Sequence, residues 1–253
     1  MTISVEIINQ LSDNYSYLIS GNKDNSSIII DPAESDKILN VLKEKKLNLN
    51  YIFITHHHSD HTSGVADLVR AYPEVKVFSP SELNSISVNV ISDSNKITTN
   101  LNEFEIIHAP GHTLDHIVLC DLKNNLLFVG DVLFRLGCGR VFEGTLEQMH
   151  SSLIKLLDLS DRMLVYCGHE YTLNNLKFLE HIFKKNKILE SVKKDIIDDL
   201  NSKTRSIPFY LGDEKKYNPF LNQNCEMALE LRSKNNYSDF EFFKYLRQEK
   251  DSF

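Results

Sequence analysis

The sequence predicts a layered α/β domain followed by a smaller helical one, on three observations. Nine short β-like runs bounded by turn residues fill the first two thirds of the 253-residue chain, and amphipathic helical patterns lie between several of them. After about Tyr171 the β signals stop and helical patterns take over. A chain of this length accommodates a medium domain with a small companion, each able to bury a core. The boundary is therefore expected near residue 172, with an α/β domain over 1–172 and a helical domain over 173–253.

In chain order, SVEIINQ, SYLIS and SSIIIDP read as strands, and ESDKILNVLKEKK as a helix with Ile38, Val41 and Leu42 on one face. NYIFITH is the next strand, and a Thr-Ser start caps a helix over 63–72. VKVFSP, FEIIHAPGH, HIVLCDL and NLLFVGD follow as strands. TLEQMHSSLIKLLDL is a helix with Leu146, Met149, Leu153, Leu156 and Leu157 on one face, and DRMLVYCGH is the last strand. Beyond it, LNNLKFLEHIFKKNKILESVKKDIIDDLNSKT is a long helical pattern. SIPFYLGDEKKYNPFL, with Pro208 and Pro219, reads as a loop, and helices follow over 224–230 and 239–249.

Hydrophobic content of 42% and charged content of 25% are those of an ordinary globular protein, not of a disordered chain, a collagen or a disulfide scaffold. No apolar run approaches the roughly 20 residues that span a bilayer. MTISVEIINQ lacks the basic start and apolar stretch of a secretory signal, and the four cysteines form no C-x-x-C pair. A cytoplasmic protein with reduced thiols is expected. The net charge of -7 is uneven: residues 1–172 hold 13 Lys and Arg against 22 Asp and Glu, residues 173–253 hold 15 against 13. An acidic first part disfavours nucleic acid, which requires a concentrated basic face. The same part holds nine of the ten histidines, which points to cations.

The strongest chemical signal is Thr55-His56-His57-His58-Ser59-Asp60-His61, directly after the apolar YIFI. Imidazole and carboxylate are the usual ligands of zinc and iron. In an extended or tightly turned loop His56 and His58 point one way, while Asp60 and His61 project to another side. Three later segments repeat one layout, an apolar strand ending in a potential ligand: FEIIHAPGH at His112, LLFVGD at Asp131 and MLVYCGH at His169. Strand ends project together along one sheet edge, where α/β folds commonly place ligands. Gly111, Gly130 and Gly168 precede these residues and permit a sharp exit. His57, His108, His116, His150 and His181 read as structural, Cys138 has no catalytic task, and Asn218-Pro219-Phe220 reads as a packing anchor.

With T-H-x-H-x-D-H at Thr55 to His61, G-H-T at Gly111 to Thr113 and G-D at Gly130-Asp131, the chain resembles the metallo-β-lactamase superfamily. Within it, GDVLFRLGCGRVFEGT, CGHEYTLNNLKF, YNPFL and the ending LRQEKDSF resemble the glyoxalase II family, the hydroxyacylglutathione hydrolases. The resemblance implies an αββα sandwich with a binuclear metal site and a small C-terminal helical domain. It places one metal on His56, His58 and His112 and a second on Asp60, His61 and His169, with Asp131 bridging. Two divalent ions, zinc first and iron or manganese otherwise, would hold a bridging water as hydroxide near neutral pH. The implied reaction is attack on the thioester of an S-2-hydroxyacylglutathione, typically S-D-lactoylglutathione, in methylglyoxal detoxification. Asp60 is expected to orient the water and accept its proton, and Asp131 to hold both ions.

The resemblance also places Arg140, Tyr171, Arg247 and Lys250 around glutathione, whose two carboxylates suit cations. Some members of the family carry Tyr where this chain has Phe142. A glutathione persulfide dioxygenase with a single iron, or a metal-binding protein without turnover, are the competing readings. The expected partner is the small-molecule glutathione thioester, with no nucleic acid, no membrane and a monomeric chain.

Overall fold

The structure, a computed structural model, describes residues 2–22, 25–84, 86–184 and 186–253. Its chain divides into two compact units, Met1–His108 with Asp115–Asn124, and Ala109–Leu114 with Asn125–Phe253.

In the first unit the elements are β1 (Ile3–Gln10), β2 (Asn14–Gly21), β3 (Ser26–Ile30), α1 (Ser35–Lys45), β4 (Asn48–Phe53), α2 (Ser59–Thr62), α3 (Val65–Ala71), β5 (Lys76–Ser79), β6 (Asn89–Val90), β7 (Lys96–Thr98), β8 (Glu103–His108) and β9 (Ile117–Asp121). Strands β1 to β6 lie side by side in sequence order. β1, β2 and β3 pair antiparallel, whereas β3, β4, β5 and β6 run parallel. Parallel strands are covered on both faces and read as unbroken apolar runs, as Ile28-Ile29-Ile30 and Ile52-Phe53-Ile54 do. Ile38 and Leu42 of α1 and Val65 and Leu68 beside them join Ile29, Ile52 and Ile54 in one core cluster. The carboxyl ends of adjacent parallel strands, where ligands gather in such sheets, are Ile30 and Phe53. β7, β8 and β9 form an antiparallel set.

In the second unit, β10 (Leu126–Gly130) is followed by β11 (Leu133–Phe134), β12 (Gly137–Cys138), α4 (Leu146–Leu157) and β13 (Leu164–Cys167). From Thr172 onward the elements are α5 (Thr172–Ile182), α6 (Lys187–Lys203), β14 (Phe209–Tyr210), α7 (Leu211–Tyr217), α8 (Glu226–Lys234) and α9 (Asp239–Ser252). β10 and β13 are parallel, and β14 pairs antiparallel with β13. α4 opens on a capping box in which Gln148 N–H donates to Thr145 and the Gln148 side chain accepts from the Thr145 N–H. Among the described residues no helix is long and apolar enough to cross a membrane.

Three expectations need correction. The long helical pattern after residue 172 is two helices, because the Asn186 side chain accepts from Ile188 N–H and Leu189 N–H and starts α6 afresh; residue 185 lies outside the described residues. The segment read as a loop contains β14 and α7. Its prolines and charges suggested a loop, but Leu211 and Glu214 are buried and Gly212 sits so close to Asp161 that a Cβ there would meet its backbone oxygen at 3.0 Å. Gly111 (φ 148°) and Gly130 (φ 47°) do take the left-handed turn expected before a ligand, whereas Gly168 is not among the positive-φ residues.

β11 and β12 make a short hairpin whose backbone is held by side chains from later helices. Asn175 Nδ2 donates to Arg135 O (3.0 Å), Asn218 Nδ2 to Gly137 O (3.0 Å) and Phe134 O (3.3 Å), and Leu136 N–H to Glu214 Oε2 (2.8 Å). Burial pushes the Glu214 carboxyl up to about 7, against the pull of the Leu136 N–H bond. An acid with a raised folded pKa binds its proton in the native state at pH values where the unfolded chain has released it. Stability therefore falls as pH rises from about 4.5 to about 7. Glu214→Gln keeps an oxygen that can accept from both Leu136 N–H and Asn218 Nδ2. Its melting temperature relative to the parent should rise as pH goes from 4.5 to 7.5; parallel melting curves across that range would refute the assignment.

Candidate metal centre

In the first unit, β4 delivers Thr55 and the histidine run at its carboxyl end, and the neighbouring β3 delivers Asp31. Asp31 is buried, with φ of 51°, a strained conformation for a non-glycine residue. It accepts from Thr55 N–H (2.8 Å), Thr55 Oγ1 (2.7 Å) and His61 Nδ1 (3.0 Å). A carboxylate can only accept here, so it places the His61 proton on Nδ1 and leaves Nε2 as a lone-pair donor. Thr55 Oγ1, having donated to Asp31, accepts from His56 Nδ1 at 3.0 Å and does the same for that ring. His56 Nε2 lies 3.1 Å from His58 Nδ1, and the His56 ring stacks on buried His116 at 4.7 Å and 21°. Asp60 and His61 leave the strand end on the single turn of α2, and Asn14 Nδ2 donates to Asp60 Oδ2 at 3.0 Å. His57 turns outward to Asp115 at 3.0 Å, as a structural residue would.

In the second unit His112, Asp131 and His169 converge. His112 Nε2 stands 3.4 Å and His169 Nε2 3.3 Å from Asp131 Oδ2, all three side chains buried. His112 Nδ1 donates to Arg140 O at 2.8 Å, so in the neutral ring its Nε2 lone pair faces a carboxylate oxygen. Two lone pairs directed at each other repel unless a cation lies between them. Ligand atoms about 2.0–2.1 Å from a tetrahedral ion stand about 3.3 Å apart, whereas a charge-assisted hydrogen bond is shorter, about 2.7–2.9 Å. The spacing is that of ligands sharing a metal, and the donors of both units are His and Asp groups of the metal-holding kind.

Beside His112 the second unit holds a cavity of about 350 Å³ walled by Phe134, Arg140, Phe142, Tyr171, Arg247, Lys250 and Asp251. The Tyr171 ring stacks flat on His169 (4.8 Å, 5°), and the exposed Phe142 ring meets His112 edge-on at 5.2 Å. Arg140 is exposed and its guanidinium lies over Phe142 at 5.6 Å. Lys250 Nζ donates to Asn174 O at 3.2 Å and lies 5.0 Å over the Phe178 ring; burial, then the Arg247 charge, lowers its pKa to about 8. Arg247 is 4% exposed and spends its guanidinium on the protein. Cys138 is buried and burial raises its thiol pKa, which leaves it unreactive.

Sequence reasoning missed Asp31, Asn14 and Asp251. Asp31 carried a signal, since SSIIID repeats the layout of an apolar strand ending in a polar residue, whereas Asn14 and Asp251 have none outside their folded contacts.

A family model described as "Hydroxyacylglutathione hydrolase C-terminus" matches residues 170–253, and "Metallo-beta-lactamase superfamily" matches 11–87 and 87–169. A hydroxyacylglutathione hydrolase of Pectobacterium atrosepticum is 38% identical over 96% of this chain and 97% of its own length. One of Pseudoalteromonas translucida is 39% identical over 99% and 100%. The crystal structure of ETHE1 from Myxococcus xanthus superposes with a TM-score of 0.64 at 23% identity, covering 97% of this chain and 96% of that one. The fold is thus the metallo-β-lactamase fold with a helical C-terminal region.

Asp31→Asn puts an amide N–H₂ where hydroxyl and imidazole donors must be accepted. Metal affinity should fall about 10- to 100-fold without loss of any ligand. Competition with a chelator measures it, and parent-like affinity would remove Asp31 from the supporting role assigned to it.

Proposed function

The chain belongs to the hydroxyacylglutathione hydrolases of the metallo-β-lactamase superfamily, and from that premise we propose that it hydrolyses S-2-hydroxyacylglutathiones, typically S-D-lactoylglutathione, to a 2-hydroxy acid and glutathione. The observation that carries the reading is the cavity beside His112, in which a metal-ligand histidine and the cations Arg140 and Lys250 line one space. A thioester carrying two remote carboxylates needs both.

In this reading His56, His58 and His112 would hold one divalent ion, Asp60, His61 and His169 the other, and Asp131 would serve both. Such ions, most simply zinc, would supply Lewis acidity and a water acidified to near-neutral pKa. Asp60, steadied by Asn14, orients the attacking water and takes its proton on the carboxylate. Asp31, Thr55 and the Arg140 carbonyl keep the ligand imidazoles in the tautomer that leaves a lone pair for metal. Tyr171 and Phe142 flank the acyl-thiol portion, and Arg140 and Lys250 take the glutathione carboxylates. Phe142 offers a ring face and no hydroxyl, so peptide contacts there are apolar. No serine or cysteine nucleophile takes part, and the helical part over 173–253 supplies Arg247 and Lys250. The enzyme acts as a cytoplasmic monomer.

Purified chain should release thiol from S-D-lactoylglutathione and lose that activity to chelators but not to Ser or Cys reagents. Uptake of oxygen with glutathione persulfide and no thiol release from the thioester would instead identify a persulfide dioxygenase. Asp131→Ala should empty both metal positions and His169→Ala mainly one; two tightly held ions per chain in Asp131→Ala would refute the bridging role. Because Lys250 loses its charge near pH 8, KM for the anionic thioester should rise as pH passes 8. Lys250→Gln should abolish that rise, and an unchanged pH profile in the variant would show that another group is responsible.

A further inference from the structure

Arg247 comes from the last helix, α9, yet its guanidinium is 4% exposed and its hydrogen bonds go to backbone of the segment that follows β12. Nη1 donates to Cys138 O at 3.0 Å and Gly139 O at 3.4 Å. Nη2 donates to Asp251 Oδ1 at 3.0 Å, and the group lies 5.6 Å over the Phe220 ring. A charge removed from water this completely is tolerated only when paired and hydrogen-bonded, so the position of these carbonyls and of Arg247 are mutually dependent.

The backbone that Arg247 grips touches two metal-ligand residues. Gly139 is packed on the backbone of Asp131 so closely that a Cβ would fall 1.8 Å from Asp131 O, and Gly139 N–H donates to Val132 O at 3.1 Å. The next residue, Arg140, supplies the carbonyl that accepts from His112 Nδ1 at 2.8 Å. Arg247 thus stands two peptide units from the group that orients a ligand imidazole and one from the strand exit that carries the shared carboxylate. Lys250, one turn further along α9, makes none of these bonds: it donates to Asn174 O and rests on Phe178 and Phe253.

We infer that Arg247 is a positioning residue for the metal centre: by clamping the Cys138 and Gly139 carbonyls, it holds the Arg140 carbonyl on His112 and the exit of Asp131 in place. The two cations of the tail have different tasks, Lys250 meeting the ligand and Arg247 meeting the backbone beneath the metal ligands. The inference rests on the metal-site reading above but not on the identity of the thioester. Asp251 belongs to the same device, since its carboxylate fixes the second nitrogen of Arg247 and also stands 3.6 Å from Arg140 Nε.

The test uses the full-length metal-loaded protein. Arg247→Gln should release metal to a chelator at least about 10-fold faster than the parent, in line with loss of support to a ligand histidine. Its cobalt-substituted form should have an altered visible spectrum, and kcat should fall. Arg247→Lys, which can still donate to Cys138 O, should recover part of the metal retention. Lys250→Gln should raise KM while leaving metal release and the cobalt spectrum as in the parent. If Arg247→Gln does not fold, Asp251→Ala, which removes the acceptor of Nη2, should give a smaller change in the same direction. Parent-like metal release and cobalt spectrum in folded Arg247→Gln, or in Asp251→Ala where that variant stands in, would overturn the inference and leave Arg247 as a ligand-binding cation. Absence of thiol release by the parent would instead count against the proposed reaction, with the metal-release comparison still deciding this point.

Discussion

Buried imidazoles and a carboxylate held within 3.1–3.4 Å of one another, with the far ring nitrogens fixed from behind, are the constraint on which this molecule depends. His112 and His169 present Nε2 to one oxygen of Asp131 at 3.4 and 3.3 Å, and His56 presents Nε2 to His58 at 3.1 Å. In water such groups would rotate apart or protonate. Here the second nitrogen of His112 is held by a carbonyl, that of His56 by a threonine hydroxyl and that of His61 by Asp31, so the arrangement persists and favours a cation. Buried carboxylate, strained backbone and close glycine packing all serve to keep these groups together.

That cost explains details that core packing leaves unexplained. Asp31 is a left-handed, buried acid in a sheet of aliphatic side chains, and it is stable because three donors converge on it. The Leu133–Cys138 hairpin is too short to satisfy its own backbone, and Asn175, Glu214, Asn218 and Arg247 make up the difference. Those four residues come from three helices, Glu214 and Asn218 from α7 and its C-cap, Asn175 from α5 and Arg247 from α9. The helical region is thereby more than a lid over a pocket, since its polar side chains finish the hydrogen bonding of the segment that supports Asp131 and His112.

Electrostatics divides along the same lines. The acidic excess of residues 1–172 contrasts with the tail, which supplies Lys250 to a cavity also lined by Arg140. One acid, Asp251, sits among these cations and pairs with both arginines, which lowers their mutual repulsion.

By itself the sequence determined the ligand types and their order, the alternation of strands and helices through the first two thirds, and the change to helices at the end. These are legible because they are local: a strand exit with its ligand, a 3.6-residue period. The helix cap expected of Thr62-Ser63 is absent, since α3 starts after Gly64 with no side-chain cap. What only tertiary structure decided lies in long-range contacts. Asp31 meets His61 across 30 positions and Arg247 meets Cys138 across 109, so no window of sequence contains both partners. α7 and the β11–β12 hairpin escaped for a related reason. Seven residues, four of them charged, or two-residue strands, have too little periodicity to register, and they exist because burial of Leu211 and side chains from distant helices stabilise backbone that is not stable alone.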